Sequence, residues 1–204
     1  MNQQSIDNLE QYAIYRKELS DIYTDIADKY LGNALEQLLA REAVINDPVK
    51  FTNTMDFMID HFVFDSFTEI GTYIYQDYFS TFLPNNPIRG NIKSSIESSF
   101  VSVFEFISYD EDNKELTIID IFTDKKYTLL DKSFKIVTNI EGTFFLVFRL
   151  LQIPDTQYFM HSGGVKHPIL GLDAKTIIKK YWKANKRLDL TNHPERKVDF
   201  FLDF

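Results

Sequence analysis

The chain has 204 residues, a net charge of −8 at neutral pH and no cysteine. The lack of cysteine excludes disulfides and thiolate metal sites, and the acidic balance removes the overall attraction that dominates binding to nucleic acid. Aromatic residues make up 15% of the chain, which excludes the disordered class and supplies material for a sizeable core.

Charge is spread unevenly along the chain. Residues 1–80 carry 14 acidic and 5 basic side chains, whereas residues 173–204 carry 5 acidic and 8 basic ones. Any charge-driven contact with nucleic acid is therefore expected in the C-terminal segment. The chain starts without a signal-like pattern, and no apolar run approaches the roughly 20 residues that cross a bilayer, so we predict a cytoplasmic protein with no membrane contact.

Residues 1–83 predict a helical region. From Ile22 to Leu39 apolar residues recur every three or four positions, which is the spacing of one helix face. We expect one long helix from about Ser5, with an interruption near Gly32.

Two further helices are predicted before the boundary at residues 83–90. Asp47 followed by Pro48 has the pattern of a helix start, and Ser66 with Glu69 has the pattern of a capping box. Pro84 is expected to end the second of these helices because proline cannot continue the hydrogen-bond ladder.

The pattern of residues 91–170 predicts a small antiparallel β-barrel or curled meander. With the helical region before it, the predicted fold class is α+β. The predicted strands are rich in the β-branched and aromatic residues that fit a pleated surface, and they are Phe100–Tyr109, Glu115–Phe122, Lys126–Leu130, Thr143–Leu151 and Gln157–His161. The short connections, rich in Asp and Asn, favour antiparallel neighbours. Curling into a barrel would hide the strand edges.

Residues 171–204 predict a basic helix, capped by Asp173, and an apolar tail. Ile177 and Ile178 lie on the expected apolar face of this helix. The residues predicted to bind nucleic acid or another partner are Lys175, Lys179, Lys180, Tyr181, Trp182, Lys183, Lys186 and Arg187. They could contact phosphates, stack a base or dock on an acidic protein surface, or form an ordinary solvated face over an apolar one.

Two groups of residues could carry metal or acid–base chemistry. His161 and His167, with Asp155 nearby, could hold zinc or iron with an open coordination position, although histidines in loops often have other roles. His61 lies among Asp56, Asp60 and Asp65, and a spacing of four residues brings Asp56 with Asp60, and His61 with Asp65, onto shared helix faces. This spacing permits an acid–base dyad, but an acidic outer face with a hydrogen-bonded histidine is the expected reading.

Five short stretches, in this order, resemble the uncharacterised prokaryotic region that accompanies the SEC-C zinc motif. They are Phe57–Asp65, Ser99–Phe106, Ile119–Thr128, Gly142–Arg149 and Ser162–Val165. The turn at Asp124-Lys125 departs from the Gly-Glu of that pattern, and the cysteine-containing motif is absent. Any metal or partner specificity that resides in that motif is therefore not carried over to this chain.

We expect a non-catalytic cytosolic interaction or adaptor protein that binds a protein partner, with no cofactor and no catalytic residue. A nucleic-acid- or ribosome-associated factor that uses the basic helix is the alternative. A metal-dependent enzyme is the second alternative. Small barrels serve many functions, so the predicted fold does not decide between them.

Overall fold

A computed structural model gives the fold, and it describes residues 3–32, 59–66, 68, 70–82, 87–134, 144–162, 166–170 and 174–185. The helices are α1 (Gln3–Ile26), continued by a π-helical turn (Ala27–Leu31), α2 (59–65), α3 (Ile74–Phe82), α4 (Pro87–Glu97) and α5 (Ala174–Asn185). The strands are β1 (Phe100–Asp110), β2 (Glu115–Asp120), β3 (Lys126–Leu130), β4 (Phe144–Gln152), β5 (Phe159–His161) and β6 (Lys166–Leu170). The predicted α+β order of helices, barrel and C-terminal helix is confirmed.

α1 buries one face along its whole described length. Leu19, Ile22 and Ile26 are fully buried at helical spacing, as the apolar pattern predicts. Towards the N-terminus the buried face continues through Tyr12 and Tyr15. Tyrosine can bury its ring while its hydroxyl keeps a polar partner, and the Tyr15 hydroxyl accepts a hydrogen bond of 3.0 Å from the Asn91 side chain.

Prolines and turn residues predict where the short helices begin and end, and one of these predictions is wrong. Pro87 is the first residue of α4, where its missing N–H costs nothing. The helix predicted to start at Ser66 begins instead at Ile74, after a turn in which Gly71 has a φ of +81°. That left-handed backbone favours glycine and cannot belong to a helix. The predicted start at Asp47 lies outside the described residues.

Five strands close into a barrel in the order β1–β2–β3–β5–β4, and β4 pairs with β1 to complete the ring. The five predicted strands are all present. Four of the five pairings are antiparallel, but β3 and β5 pair in parallel through the single residue pair Leu129–Phe159. A closed ring with an odd number of strands cannot alternate direction throughout, so one parallel pairing is a geometric necessity.

β6 lies outside the ring as an edge strand on β4, and the sequence pattern does not predict it. Pro168 lies within this strand. Proline cannot donate to a strand ladder, and it is therefore tolerated at a sheet edge and not in a central strand. Pro168 also weakens the strand signal of this segment, which is why the sequence pattern does not predict β6.

Two apolar cores share the barrel wall. The inner core fills the barrel with side chains that include Phe104, Phe148 and Leu150. The outer core packs α1, α3 and α4 against barrel residues that include Leu151 and Met160. Successive residues of β4 therefore point to opposite apolar layers, and the strand reads as a continuous apolar run because it is buried on both faces.

We predict that Phe104→Ala lowers the free energy of unfolding by about 3–5 kcal/mol, because a fully buried ring stacked on Phe148 at 4.7 Å is replaced by a cavity. Urea denaturation followed by circular dichroism measures this change. The matched control is Ile107→Ala on the same strand, whose side chain is 44% exposed, and we expect it to cost well under about 1 kcal/mol. Equal losses in both variants would contradict the assignment of Phe104 to the inner core.

Candidate functional site

A buried arginine lies where the helices meet the barrel. Arg149 follows Phe148 in β4 and points away from the barrel interior towards α2, which supplies Asp60 and Asp65. The side chains of Arg149 and Asp60 are 5% and 1% exposed, respectively. A charge at such depth is tolerated only when it is paired and hydrogen-bonded.

The guanidinium of Arg149 is surrounded by partners. Its Nε donates to Asp60 at 3.0 Å, one Nη donates to Asp65, and the other donates to the Ser99 hydroxyl at 3.1 Å. The ring of Phe64 lies 5.0 Å from the guanidinium carbon, at cation–π distance. Burial acts to raise the pKa of Asp65, but Arg149 and His61 outweigh it and hold that pKa below its ordinary value.

Two more side chains complete this ion network. The Tyr23 hydroxyl on α1 donates to Asp60, and burial followed by the nearby Asp60 carboxylate raises the Tyr23 pKa well above its ordinary value. His61 Nδ1 lies 3.1 Å from Asp65, so the pairing expected from their spacing is present. Asp60, by contrast, is buried and not on an acidic outer face. Asp56, the third carboxylate of this group, lies outside the described residues.

Three of the stretches that carry the resemblance meet at this arginine. Asp65 ends the first stretch, Ser99 begins the second, and Arg149 ends the fourth. Their shared feature is a set of contacts that fastens α2 and the start of β1 to β4. These contacts give the residues a structural role, since both carboxylates accept hydrogen bonds from Arg149.

A second buried pair spans the parallel seam of the barrel. Asp131 follows β3, His161 ends β5, and the imidazole Nε2 lies 3.2 Å from the Asp131 carboxylate. Because a carboxylate only accepts hydrogen bonds, Nε2 is the donor. His161 Nδ1 is buried and has no hydrogen-bond partner among the described residues. Burial acts to raise the pKa of Asp131, but hydrogen bonds from His161 and Ser133 lower it to about 2.

An open pocket of about 710 Å³ lies beside these two buried pairs. α1 forms one wall, α2 contributes Ile59, and the residues that follow β3 and β5 form the other side. Tyr12, Arg16, Lys132 and Ser162 are among the lining side chains. The pocket is therefore built from the junction of helices and barrel, which the buried pairs hold in place.

The basic helix α5 is attached to the barrel by two of its predicted binding residues. Lys175 Nζ lies 2.7 Å from Glu105 on β1, and Lys179 Nζ lies 3.3 Å from Asp124. Ile178 is 1% exposed, but Ile177 is 59% exposed, so the two isoleucines do not form one buried face. Lys180 is exposed.

The remaining predicted binding residues of the C-terminal region lie beyond what the structure describes. Tyr181, Trp182 and Lys183 belong to α5 by backbone, but their side chains are outside the described set. Lys186 and Arg187 lie wholly outside it. Binding by these residues stays a prediction.

The structure places two of the three predicted metal ligands. His161 pairs with Asp131, which the sequence did not single out, and Asp155 is exposed in a turn with a φ of +59°. His167 lies in β6, and its side chain is outside the described residues. Among the residues searched, which are the described ones, no group of three His, Cys, Asp or Glu could hold a metal.

Sequence reasoning missed the residues that organise this region, which are Arg149, Tyr23 and Arg16. For Arg149 a signal exists, because it is the single charge in an otherwise apolar run from Phe144 to Leu151. A charge in a strand that is buried on both faces requires a buried partner. For Tyr23 and Arg16 the sequence offers only helical spacing, which gives the face of a residue and not its partner.

Comparison with known proteins gives one match. Residues 6–203 match the model of a protein family whose function is unknown. No curated protein and no solved structure matches the chain. Within the described residues, none of the helices has the length and apolar character needed to cross a membrane.

We predict that Arg149→Met costs about 3–5 kcal/mol of unfolding free energy, because it leaves two carboxylates of the ion network without their buried cation. Urea denaturation at neutral pH measures the loss. Lys17→Met is the control, since the Lys17–Asp21 pair has a lysine side chain that is 78% exposed, and we expect it to cost about 1 kcal/mol or less. A triple variant with Arg149→Met, Asp60→Asn and Asp65→Asn should recover part of the loss. If the triple variant recovers none of the lost unfolding free energy, uncompensated charge is not the cause of the loss.

The Asp131 pair predicts a distinct response to acid. The pKa of Asp131 is lowered from 3.8 to about 2 in the folded protein, so its ionised form stabilises the fold above its ordinary pKa. That contribution is lost as the pH falls from about 5 towards about 2, and it amounts to about 2 kcal/mol.

Urea denaturation over this pH range tests the prediction with Asp131→Asn, which cannot titrate. Wild-type protein should lose about 2 kcal/mol more than the variant between the two ends of the range. Parallel stability curves for the two proteins would show that Asp131 is not the responsible group.

Proposed function

The chain belongs to DUF7986, a family of unknown function, and we propose that it is a non-catalytic interaction protein that binds a protein partner through the outer face of α5. The observation that carries this proposal is Ile177, a large apolar side chain that is 59% exposed on a helix otherwise rich in lysine. The partner surface that fits is apolar and acidic.

The buried ionisable groups support a role without chemistry. Within the described residues, Asp60 and Asp65 are paired with Arg149, and Asp131 is paired with His161. Asp120 accepts hydrogen bonds from the backbone N–H groups of Phe122 and Thr123. Arg149 and His61 lower the pKa of Asp65, and His161 and Ser133 lower the pKa of Asp131, whereas a general acid or base needs a pKa near the working pH.

Internal ion pairs also weaken the case for nucleic acid. Lys175 and Lys179 are engaged by Glu105 and Asp124, so each would have to leave its carboxylate to neutralise a phosphate. Nucleic-acid affinity rests mainly on the number of phosphates that cations neutralise. A protein surface instead gains from covering Ile177, because burying apolar area is favourable.

Ile177 and Lys180 lie three residues apart on α5, a spacing that brings side chains onto one face of a helix. Lys180, exposed on α5, would meet an acidic side chain of the partner.

The wider kinship with the region that accompanies the SEC-C motif is part of this proposal. It is supported by the meeting of three of its stretches at Arg149. The cytoplasmic location is also proposed and is supported by the lack of cysteine.

Affinity purification from native cells, with mass spectrometry and RNA sequencing of the eluate, tests the proposal. We expect a protein partner whose recovery falls about tenfold with Ile177→Ser and with Lys180→Glu, since losing one central contact of an interface costs roughly 1–2 kcal/mol. The matched controls are Ile70→Ser, with a side chain that is 82% exposed on the α2–α3 turn, and Lys126→Glu on β3. Both controls should retain the partner.

The same experiment separates the nucleic-acid alternative. RNA that is recovered at low salt, lost at moderate salt and lost with Lys180→Glu but kept with Ile177→Ser would overturn the proposal in favour of that alternative. Loss of the protein partner with the two controls as well would show that α5 is not the contact.

A further inference from the structure

We infer that the pocket between α1 and the barrel binds a small organic anion, consisting of an apolar or aromatic body with a phosphate or carboxylate group. This site is separate from α5. Its volume of about 710 Å³ falls in the range of pockets that hold small organic ligands. The inference rests on three features of the pocket lining.

The first feature is an arginine that is held in place without an ion pair. Arg16 Nη1 donates to the backbone carbonyls of His161 and Ser162 at 2.7 and 2.8 Å. These bonds fix the guanidinium against the end of β5. Among the described residues, no carboxylate pairs with Arg16, and the N–H groups on its Nε and Nη2 donate to none of them. A preorganised fork of donors is the usual recognition element for carboxylate and phosphate.

The second feature is the remaining charge of the lining. Lys17 is neutralised by Asp21, which also lines the pocket, at 2.6 Å. Lys132, which follows β3, is exposed and has no ion-pair partner in the described part of the chain. Arg16 and Lys132 therefore leave the pocket with two uncompensated positive charges in a chain whose net charge is −8. Such a local reversal of sign favours an anionic ligand.

The third feature is a buried hydroxyl without a hydrogen bond. Ser162 is 3% exposed and lines the pocket, but its Oγ has no hydrogen-bond partner within the part of the chain that the structure describes. It lies near the Tyr23 hydroxyl, which donates its own hydrogen to Asp60. A buried polar group without a partner is costly, and a ligand oxygen would satisfy it.

The apolar side chains of the pocket lining determine what kind of apolar body the ligand carries. Tyr12 is buried and lies on the same face of α1 as Tyr23, and Ile59 comes from α2. The Tyr23 hydroxyl is committed to Asp60, so this side chain offers its ring and not a free donor. Aromatic rings beside fixed cations suit a planar apolar body that carries an oxyanion.

NMR titration of ¹⁵N-labelled full-length protein tests the site with phenyl phosphate and phenylacetate, and with phenol and phenylacetamide as neutral analogues. We expect at least one anion to shift the backbone amide signals of Arg16, Lys132 and Ser162. The neutral analogue should bind about tenfold or more weakly, since it lacks the charge-assisted hydrogen bonds. The two anions distinguish phosphate from carboxylate preference.

Two variants and a control make the result specific. Lys132→Glu should weaken the anion about tenfold, and Ser162→Ala should weaken it without lowering the Tm of the unliganded protein. Lys126→Glu makes the same charge change at an exposed lysine of β3 that does not line the pocket, and it should leave the affinity unchanged. The inference is overturned if neither anion shifts these signals at millimolar concentration, if the neutral analogues bind equally well, or if Lys126→Glu weakens binding as much as Lys132→Glu.

Discussion

The burial of Arg149 is the constraint on which the rest of the structure depends. A guanidinium at this depth needs partners on every side, and those partners come from α2 and from the segment before β1. Tyr23 on α1 adds a further bond to Asp60. The position of the helices on the barrel is thereby specified by directional contacts, whereas apolar packing alone would tolerate sliding.

The same contacts explain how an acidic chain presents a cationic pocket. Asp60 and Asp65 both hydrogen-bond to Arg149, and Asp131 is paired with His161. These three carboxylates are engaged inside the fold, and none of them lines the pocket. Among the described residues, Arg16 is engaged by neutral carbonyl oxygens alone, so its charge remains at the pocket together with that of Lys132.

Much of the fold follows from the sequence because its signals are local. The alternating pattern of β1 and β2, the aspartates of their turn and the spacing of α1 each depend on neighbours within a few residues. The start of α3 was misplaced because Ser66 and Glu69 match a local cap while Gly71 imposes a left-handed turn. The candidate site could not be predicted in the same way. Arg149 and Asp60 lie 89 positions apart, and their pairing is decided by how the layers pack.

The seam between β3 and β5 has a consequence for how the barrel moves. Every other joint of the ring is a ladder of several residue pairs, whereas this one has a single pair, and a side-chain clasp between Asp131 and His161 spans it. The barrel is therefore closed most weakly between β3 and β5, where one residue pair and one side-chain contact join the strands. Transient opening begins where the fewest bonds must break, so this edge is where solvent first enters the inner core. The β1–β4 pairing has a ladder of six residue pairs, so we expect it to separate later than the β3–β5 pairing.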